Sequence, residues 1–326
     1  MFSGINRGVQ RLLVSAVLLA ALIVAGSANA AQLIDRNATN VRLSTNTKGE
    51  ALLTYQKGGV TRHVLIWGAI NAAPPVQGQH QVKFSLDYSG GYGKYHKVYW
   101  KVFKGTCGKY DGPSIPNMVA ACKSFDGSYW AAQEWPQPLP DLGFTPWRPD
   151  LSAKWLEVSH WSGPLPTLEV HMGWVYSGYQ QIFGRYLYAG QPIFGFGTTS
   201  VGAPTDTFGR LIYLDTHDSV YGPGWRRENS FVSHNPSGAF CYGFYSFDQT
   251  RGGYQHPPGQ TAKRGPGIGD EYRLTASGTG VMPNISVTIP SIGAYDSSKA
   301  GERQASDAML RSYGDKSCLA GLTSAA

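Results

Sequence analysis

The residues best suited by type and spacing to do chemistry are Asp215-Thr216-His217-Asp218, at the end of a strand-like run. Side chains alternate across extended backbone, so Asp215 and His217 share a face where a carboxylate can orient an imidazole as a base or a metal ligand. The same tetrapeptide also makes an ordinary turn, with Asp218 accepting from backbone amides. A second group lies upstream. Glu157 precedes His160-Trp161, and Glu169 shares a strand face with Thr167 and His171, opposite Leu168, Val170, Met172 and Trp174. If those strands pair, two carboxylates and an imidazole meet on one sheet, the minimum set for glycoside hydrolysis. Scattered Glu and His are equally the usual decoration of a solvated sheet face. The candidate catalytic set is therefore Glu157, Glu169, His171, Asp215 and His217.

Other chemistries find little support. Neither Ser162 nor Ser219 sits in a nucleophile elbow, and no phosphate-binding or dinucleotide fingerprint follows a strand. The sequence has no CxxC pair, no paired-histidine motif and no EF-hand, so neither a cofactor nor a metal is expected. A calcium ion held in a loop by Asp206, Asp215 or Asp218 is the one arrangement left open.

Binding chemistry has two candidate locations. Residues 221–229 read as a rigid loop carrying Trp225, Arg226 and Arg227, a ring and two guanidinium groups able to stack on a sugar and hydrogen-bond its hydroxyls. Trp225 would serve as well to plug the end of a sandwich. In the N-terminal third, a glycine-rich loop at 89–96 holds Tyr92, Lys94 and Tyr95. The following run, 97–104, alternates as a strand that buries Val98, Trp100 and Val102 and turns Lys97, Tyr99, Lys101 and Phe103 outward. Rings and ammonium groups then interleave on one surface, although Lys97 and Lys101 also suit the guarding of a strand edge. The ligand-binding set is Tyr92, Tyr95, Lys97, Tyr99, Lys101, Trp225, Arg226 and Arg227. Residues 31–110 carry eleven Lys/Arg against Asp35, Glu50 and Asp87, a balance of +8, whereas the rest of the chain after residue 110 stands at −3. That asymmetry draws anionic polymers or surfaces toward the N-terminal third.

The elements that must position these residues are strands. Aromatic residues make up 13% of the 326, charged residues only 15%, and 41 Gly and 20 Pro supply turns. This balance suits many short strands rather than helices. Strands are expected at 39–45, 50–56, 60–67, 81–88, 97–104 and 128–135, then at 155–161, 168–176, 182–188, 209–216, 230–234, 239–247, 271–276 and 284–289. A single helical turn is expected near Ser114 and Pro116. Only 297–313 reads as a longer helix, with a weak stripe of Ala305, Ala308, Met309 and Tyr313. The fold expected is all-β, antiparallel sheets of sandwich type, one elaborate or two packed, with a short C-terminal helix.

Residues 1–30 read as a secretion signal: Arg7 and Arg11, an apolar run from Leu12 to Val24, and Ala28-Asn29-Ala30 as a cleavage site. The expected location is extracellular, with no membrane insertion after cleavage. The divisions expected are a basic β domain at 31–135, a Pro-rich linker or crossover at 136–149, a second β domain at 150–290, and a helix and tail at 291–326. Four cysteines in an exported chain predict two disulfides, Cys107–Cys122 and Cys241–Cys318. On the loop-entropy model each would contribute roughly 3 to 5 kcal/mol. The function expected is non-catalytic binding of carbohydrate or an anionic cell-envelope polymer, with no nucleic acid partner. An extracellular polysaccharide hydrolase and a structural cell-surface protein are the alternatives, and oligomeric state is not legible.

Overall fold

The structure is a computed structural model that describes residues 31–74, 81–137, 148–175, 178–192, 196–198, 204–206, 212–228, 233–234, 238–244, 247–248, 253–254 and 267–314. Residues 1–30, expected to be a secretion signal, and Cys318 lie outside the described residues. The described chain is mostly strand, arranged as antiparallel sheets.

One sheet has the order β1 (Gln32–Arg36), β8 (Lys154–Trp161), β7 (Tyr129–Pro136) and β6 (Met118–Lys123). A second is the meander β2 (Thr39–Thr45), β3 (Ala51–Lys57), β4 (Val60–Trp67) and β5 (Ser85–Asp87). Alternation along each strand turns Ile34, Leu53, Tyr55, Val64, Ile66, Trp130, Ala132, Leu156 and Val158 inward, and these side chains form one core between the two sheets. Of the run expected as a strand at 81–88, only β5 joins the ladder, but Val82, Phe84 and Leu86 do pack on that core. His160 stacks on Trp130 with ring centroids 3.9 Å apart. Its Nδ1 lies 2.6 Å from the Ala69 carbonyl and burial pulls its pKa down to about 4, so it is a neutral core histidine.

A second sandwich follows. Its first sheet joins β9 (Thr167–Val175), β10 (Tyr179–Tyr188), β11 (Gln191–Pro192), β16 (Ser233–His234) and β17 (Ala239–Gly243). Its other sheet has the order β15 (Gly222–Glu228), β14 (Ile212–Ser219), β20 (Glu271–Ala276), β21 (Ile285–Pro290). Two short ribbons, β12 (Phe196–Thr198) with β13 (Pro204–Asp206) and β18 (Phe247–Asp248) with β19 (Gly253–Tyr254), complete the strands. The core holds Leu168, Ile182, Tyr186, Leu214, Phe240, Tyr242, Tyr272 and Leu274.

Two short helices, α1 (Tyr92–Tyr95) and α2 (Tyr99–Val102), occupy the stretch read as loop and strand, and α3 (Ala300–Ser312) follows β21. No helix forms at 114–116. On α3 the buried positions are Ser306 and Leu310, with Tyr313 just beyond the helix, while Ala305, Ala308 and Met309 are exposed. The stripe is thus rotated from the expected one, because the helix lies on the outer face of β9 and β10, where Leu310 and Tyr313 meet Phe183 and Gly173 leaves room for Ser306.

Pro136 is the last residue of β7 and pairs with Lys154 of β8, so the strands that flank the Pro-rich segment are neighbours in one sheet. The first sandwich includes β8 and so reaches Trp161. Residues 277–284, between β20 and β21, bind the second half to the first. His160 N–H donates to Val281 O at 2.9 Å, and Val281 N–H donates to Asn71 O at 3.0 Å. Val281 reaches the first core, and Met282 packs with Ile115, Ala131 and Trp161 on the outside of that sheet. Gly280 has φ +59°, and a Cβ there would stand 2.7 Å from Asn71 O, so this close approach needs glycine. Cys107 and Cys122 form the expected disulfide, tying the chain after α2 to β6. Cys241 is also disulfide-bonded, and its expected partner Cys318 lies outside the described residues.

Glu157 is sealed in by that insertion. It is buried, and its carboxyl accepts from the Asn284 side chain, while Gln133 across the ladder exchanges bonds with the Asn284 backbone. Burial raises the Glu157 carboxyl to about 8, against which the Asn284 bond works only partly. The folded state therefore keeps a proton that the unfolded chain releases above pH 4.5, and stability falls as pH rises from there to about 8. Glu157→Gln should remove that slope and melt higher than wild type at pH 8. A variant whose melting temperature keeps the wild-type pH dependence would show that Glu157 is not the group responsible.

Candidate functional site

A densely organised polar group lies over the outer face of β3 and β4. Glu50, only 2% exposed at the start of β3, takes four donors. Lys94 Nζ at 2.8 Å and the Tyr95 hydroxyl reach Oε1, and Asn46 Nδ2 at 2.8 Å and the Tyr99 hydroxyl at 2.9 Å reach Oε2. Burial pushes this carboxyl up, but the four donors outweigh it and hold it at about 2. The local chain is built for this. Asn46 Oδ1 accepts from the Lys48 and Glu50 amides and shapes the β2–β3 turn. Asp87 accepts from the Ser89 and Lys94 amides and starts α1. Gly90 and Gly91 have positive φ, and a Cβ on either would strike Trp100 or Tyr99.

Around that carboxylate the rings and ammonium groups interlock. Tyr95 and Tyr99 lie 4.1 Å apart. Lys48 Nζ stands 5.0 Å from the Tyr95 ring and 5.9 Å from the Tyr99 ring, and Lys97 Nζ is 5.8 Å from Tyr99. Lys94 Nζ is 3.9 Å from the Trp67 ring, and Lys101 lies over Trp100, which stacks on His63. These are cation–π distances. Among the described residues Lys48, Lys97 and Lys101 make no ion pair, and all three are exposed.

The expected strand at 97–104 is overturned in detail. Tyr99 is the buried residue, while Val98 and Val102 are 45% and 57% exposed, the reverse of the alternation read from the sequence. One helical turn, α2, replaces the strand because Tyr99 must turn inward to reach Glu50, which lies 49 residues earlier in the chain. Tyr92 stands exposed beside this group. Asn46, Lys48, Glu50 and Trp67 were not singled out. Glu50, one of three acids in the basic N-terminal third, was the available signal.

The second sandwich distributes the remaining candidates. In the run expected as a loop, Gly222–Glu228 is instead a strand, β15, paired with β14. Strand alternation separates Trp225 and Arg227 from Arg226, which faces the opposite side with Glu228. Asp215 and His217 do share a face, as expected, but the carboxylate does not orient the imidazole. Buried Asp215 is held by Arg227 at 2.8 Å and Arg273 at 2.8 Å, and these cations overcome its burial and lower its pKa. His217 Nδ1 instead lies 2.8 Å from Asp270 Oδ1, which raises the imidazole pKa. Trp225 packs 5.0 Å from the His217 ring and carries Arg273 over its own ring at 4.2 Å. Asp270 and Arg273 were missed because ladder register, not local sequence, brings β20 beside β14.

Glu169 and His171 also meet, at 3.1 Å, on the outer face of β9 beneath the end of α3. Burial raises the Glu169 carboxyl, but His171, the Tyr313 hydroxyl and Arg185 prevail and lower its pKa. This pair secures the helix. Leu168 and Leu214 both point into the second core, so Glu169–His171 and Asp215–His217 lie on opposite outer faces of that sandwich. Glu157 belongs to the first. The five candidate acids and bases form no single constellation of the kind glycoside hydrolysis needs.

Comparison with known families, curated protein sequences and solved structures finds no match to this chain. Among the described residues no helix is long and apolar enough to cross a membrane.

Glu50→Gln should lower the unfolding free energy at pH 7 by roughly 3 kcal/mol, since it leaves Lys94 and two hydroxyls around a neutral amide. Wild type has a carboxyl held below its usual 4.5 when folded. Its contribution is present above that pH and is lost as pH falls toward about 2. Urea unfolding from pH 7 to pH 3 checks both points; equal stability of the two proteins at pH 7 would contradict them.

Proposed function

We propose that this is an exported, non-catalytic binding protein that engages an anionic polymer of the cell envelope, an acidic polysaccharide foremost, through the basic and aromatic surface of its first sandwich. The observation that carries the reading is the cluster around Tyr95 and Tyr99. Glu50, the carboxylate that both tyrosine hydroxyls reach, is buried and fully engaged, and Asp87 is taken up by the amides that start α1, while Lys48 and Lys97 stand exposed against the ring faces without an ion-pair partner among the described residues. A charged polymer segment would meet ammonium groups already positioned by the rings, with Tyr92 beside them to pack on sugar C–H surface. The positive balance of residues 31–110 extends the attraction beyond contact distance. Export rests on the signal-like leader, and the separation of the candidate acids and bases favours binding over hydrolysis.

Immobilised polygalacturonate, with neutral dextran as control, tests this. The wild-type protein should be retained on the acidic polymer at low salt and released as salt rises. Lys48→Gln with Lys97→Gln should weaken retention about tenfold, equivalent to about 1.4 kcal/mol. Equal retention of both proteins, or none by wild type, would remove the reading.

A further inference from the structure

We propose that His217, Asp218 and Asp270 bind a divalent transition-metal ion, with zinc the best match to their donor set. The site lies on the second sandwich, and the inference does not depend on the polymer-binding reading. One imidazole nitrogen and two carboxylates from separate points of the chain bring ligand atoms within 4.8 Å of one another. His217 Nδ1 is 2.8 Å from Asp270 Oδ1 and 3.7 Å from Asp218 Oδ2. Donors bound to tetrahedral zinc at about 2.0–2.2 Å stand about 3.3 Å from each other, so these two separations bracket what the ion requires. The ion would take the place of the proton shared by His217 and Asp270.

The backbone already assembles the three donors. The β14–β15 ladder shifts register between His217 and Ser219, and Asp218 sits at that irregularity. Asp270 N–H donates to His217 O at 3.1 Å, and Gly269 lets its loop lie so close that a Cβ would stand 2.1 Å from the same oxygen. Glu271 is paired with His217 across the ladder, so three acids surround one imidazole. The guanidinium of Arg273, on the neighbouring strand, is engaged with Asp215 and the Trp225 ring. The local excess of negative charge favours a dication. A nitrogen donor favours zinc over calcium or magnesium, which prefer all-oxygen sites. With side-chain exposures of 29%, 50% and 59%, the three residues leave room for water to complete the coordination.

The test is calorimetric titration of ZnCl2 into EDTA-stripped protein, with thermal melting alongside. An equimolar amount of zinc should bind and raise the melting temperature. His217→Ala and Asp270→Asn should each weaken binding by about tenfold or more, and His171→Ala should leave it unchanged. Zinc should also protect His217 of the wild-type protein from diethyl pyrocarbonate, mapped by peptide mass spectrometry, which needs no substitution. No zinc binding by wild type, unchanged binding in the two site variants, or modification of His217 unaffected by zinc would each overturn the proposal.

Discussion

Polar groups buried between two β-sandwiches must find partners there, and in this chain they find them through residues 277–284. This connection leaves the second sandwich after β20, lays Val281 between Asn71 and His160 of the first, and returns as β21. Asn284 answers Glu157 and Gln133 at once, and its own Oδ1 accepts from the Gly278 amide. Without that insertion a carboxyl and a carboxamide would lie on an apolar sheet face already crowded by Trp161, Ala131 and Ile115. A second tie is a pair of hydrogen bonds: the Arg227 guanidinium, held by Asp215, donates to the carbonyls of Pro136 and Gln137 at 3.4 and 3.3 Å. The halves are thus joined by side chains that each sandwich would otherwise leave unsatisfied.

The same requirement organises the basic surface. Residues 92–102 cover the outside of a sheet whose exposed face carries His63 and Trp67. Covering it with short helices brings Lys94 and two tyrosine hydroxyls onto Glu50, and this buried charge fixes where the remaining lysines stand. Binding capacity here follows from an internal need: the ion pair positions the rings, and the rings position Lys48 and Lys97.

On the second sandwich, Asp215 and His217 are neighbours in sequence with separate tasks. The first is closed in by two guanidinium groups, while the second opens to solvent between Asp218 and Asp270. One residue of separation along the strand marks the step from a buried structural ion pair to a rim where a cation has room.

Sequence by itself determined the architecture. The alternation of Val41 and Leu43 in 39–45 and the Gly-bearing turns at 46–49 and 57–59 demand paired strands, because a period of two allows only one buried face. The disulfide at Cys107–Cys122 followed from the even cysteine count together with the Gly/Pro-rich loop that the two residues bracket, and the face shared by Asp215 and His217 followed from alternation. Tertiary structure decided the rest. Tyr99 turned inward rather than outward because Glu50 waited on a distant strand. The run at 221–229 became a strand because β14 offered an unpaired edge, and that pairing split Trp225 from Arg226. Asp270 reached His217 across 53 residues. Each of these depends on a partner supplied by another segment, and the local pattern of a chain carries no information about which segment will lie beside it.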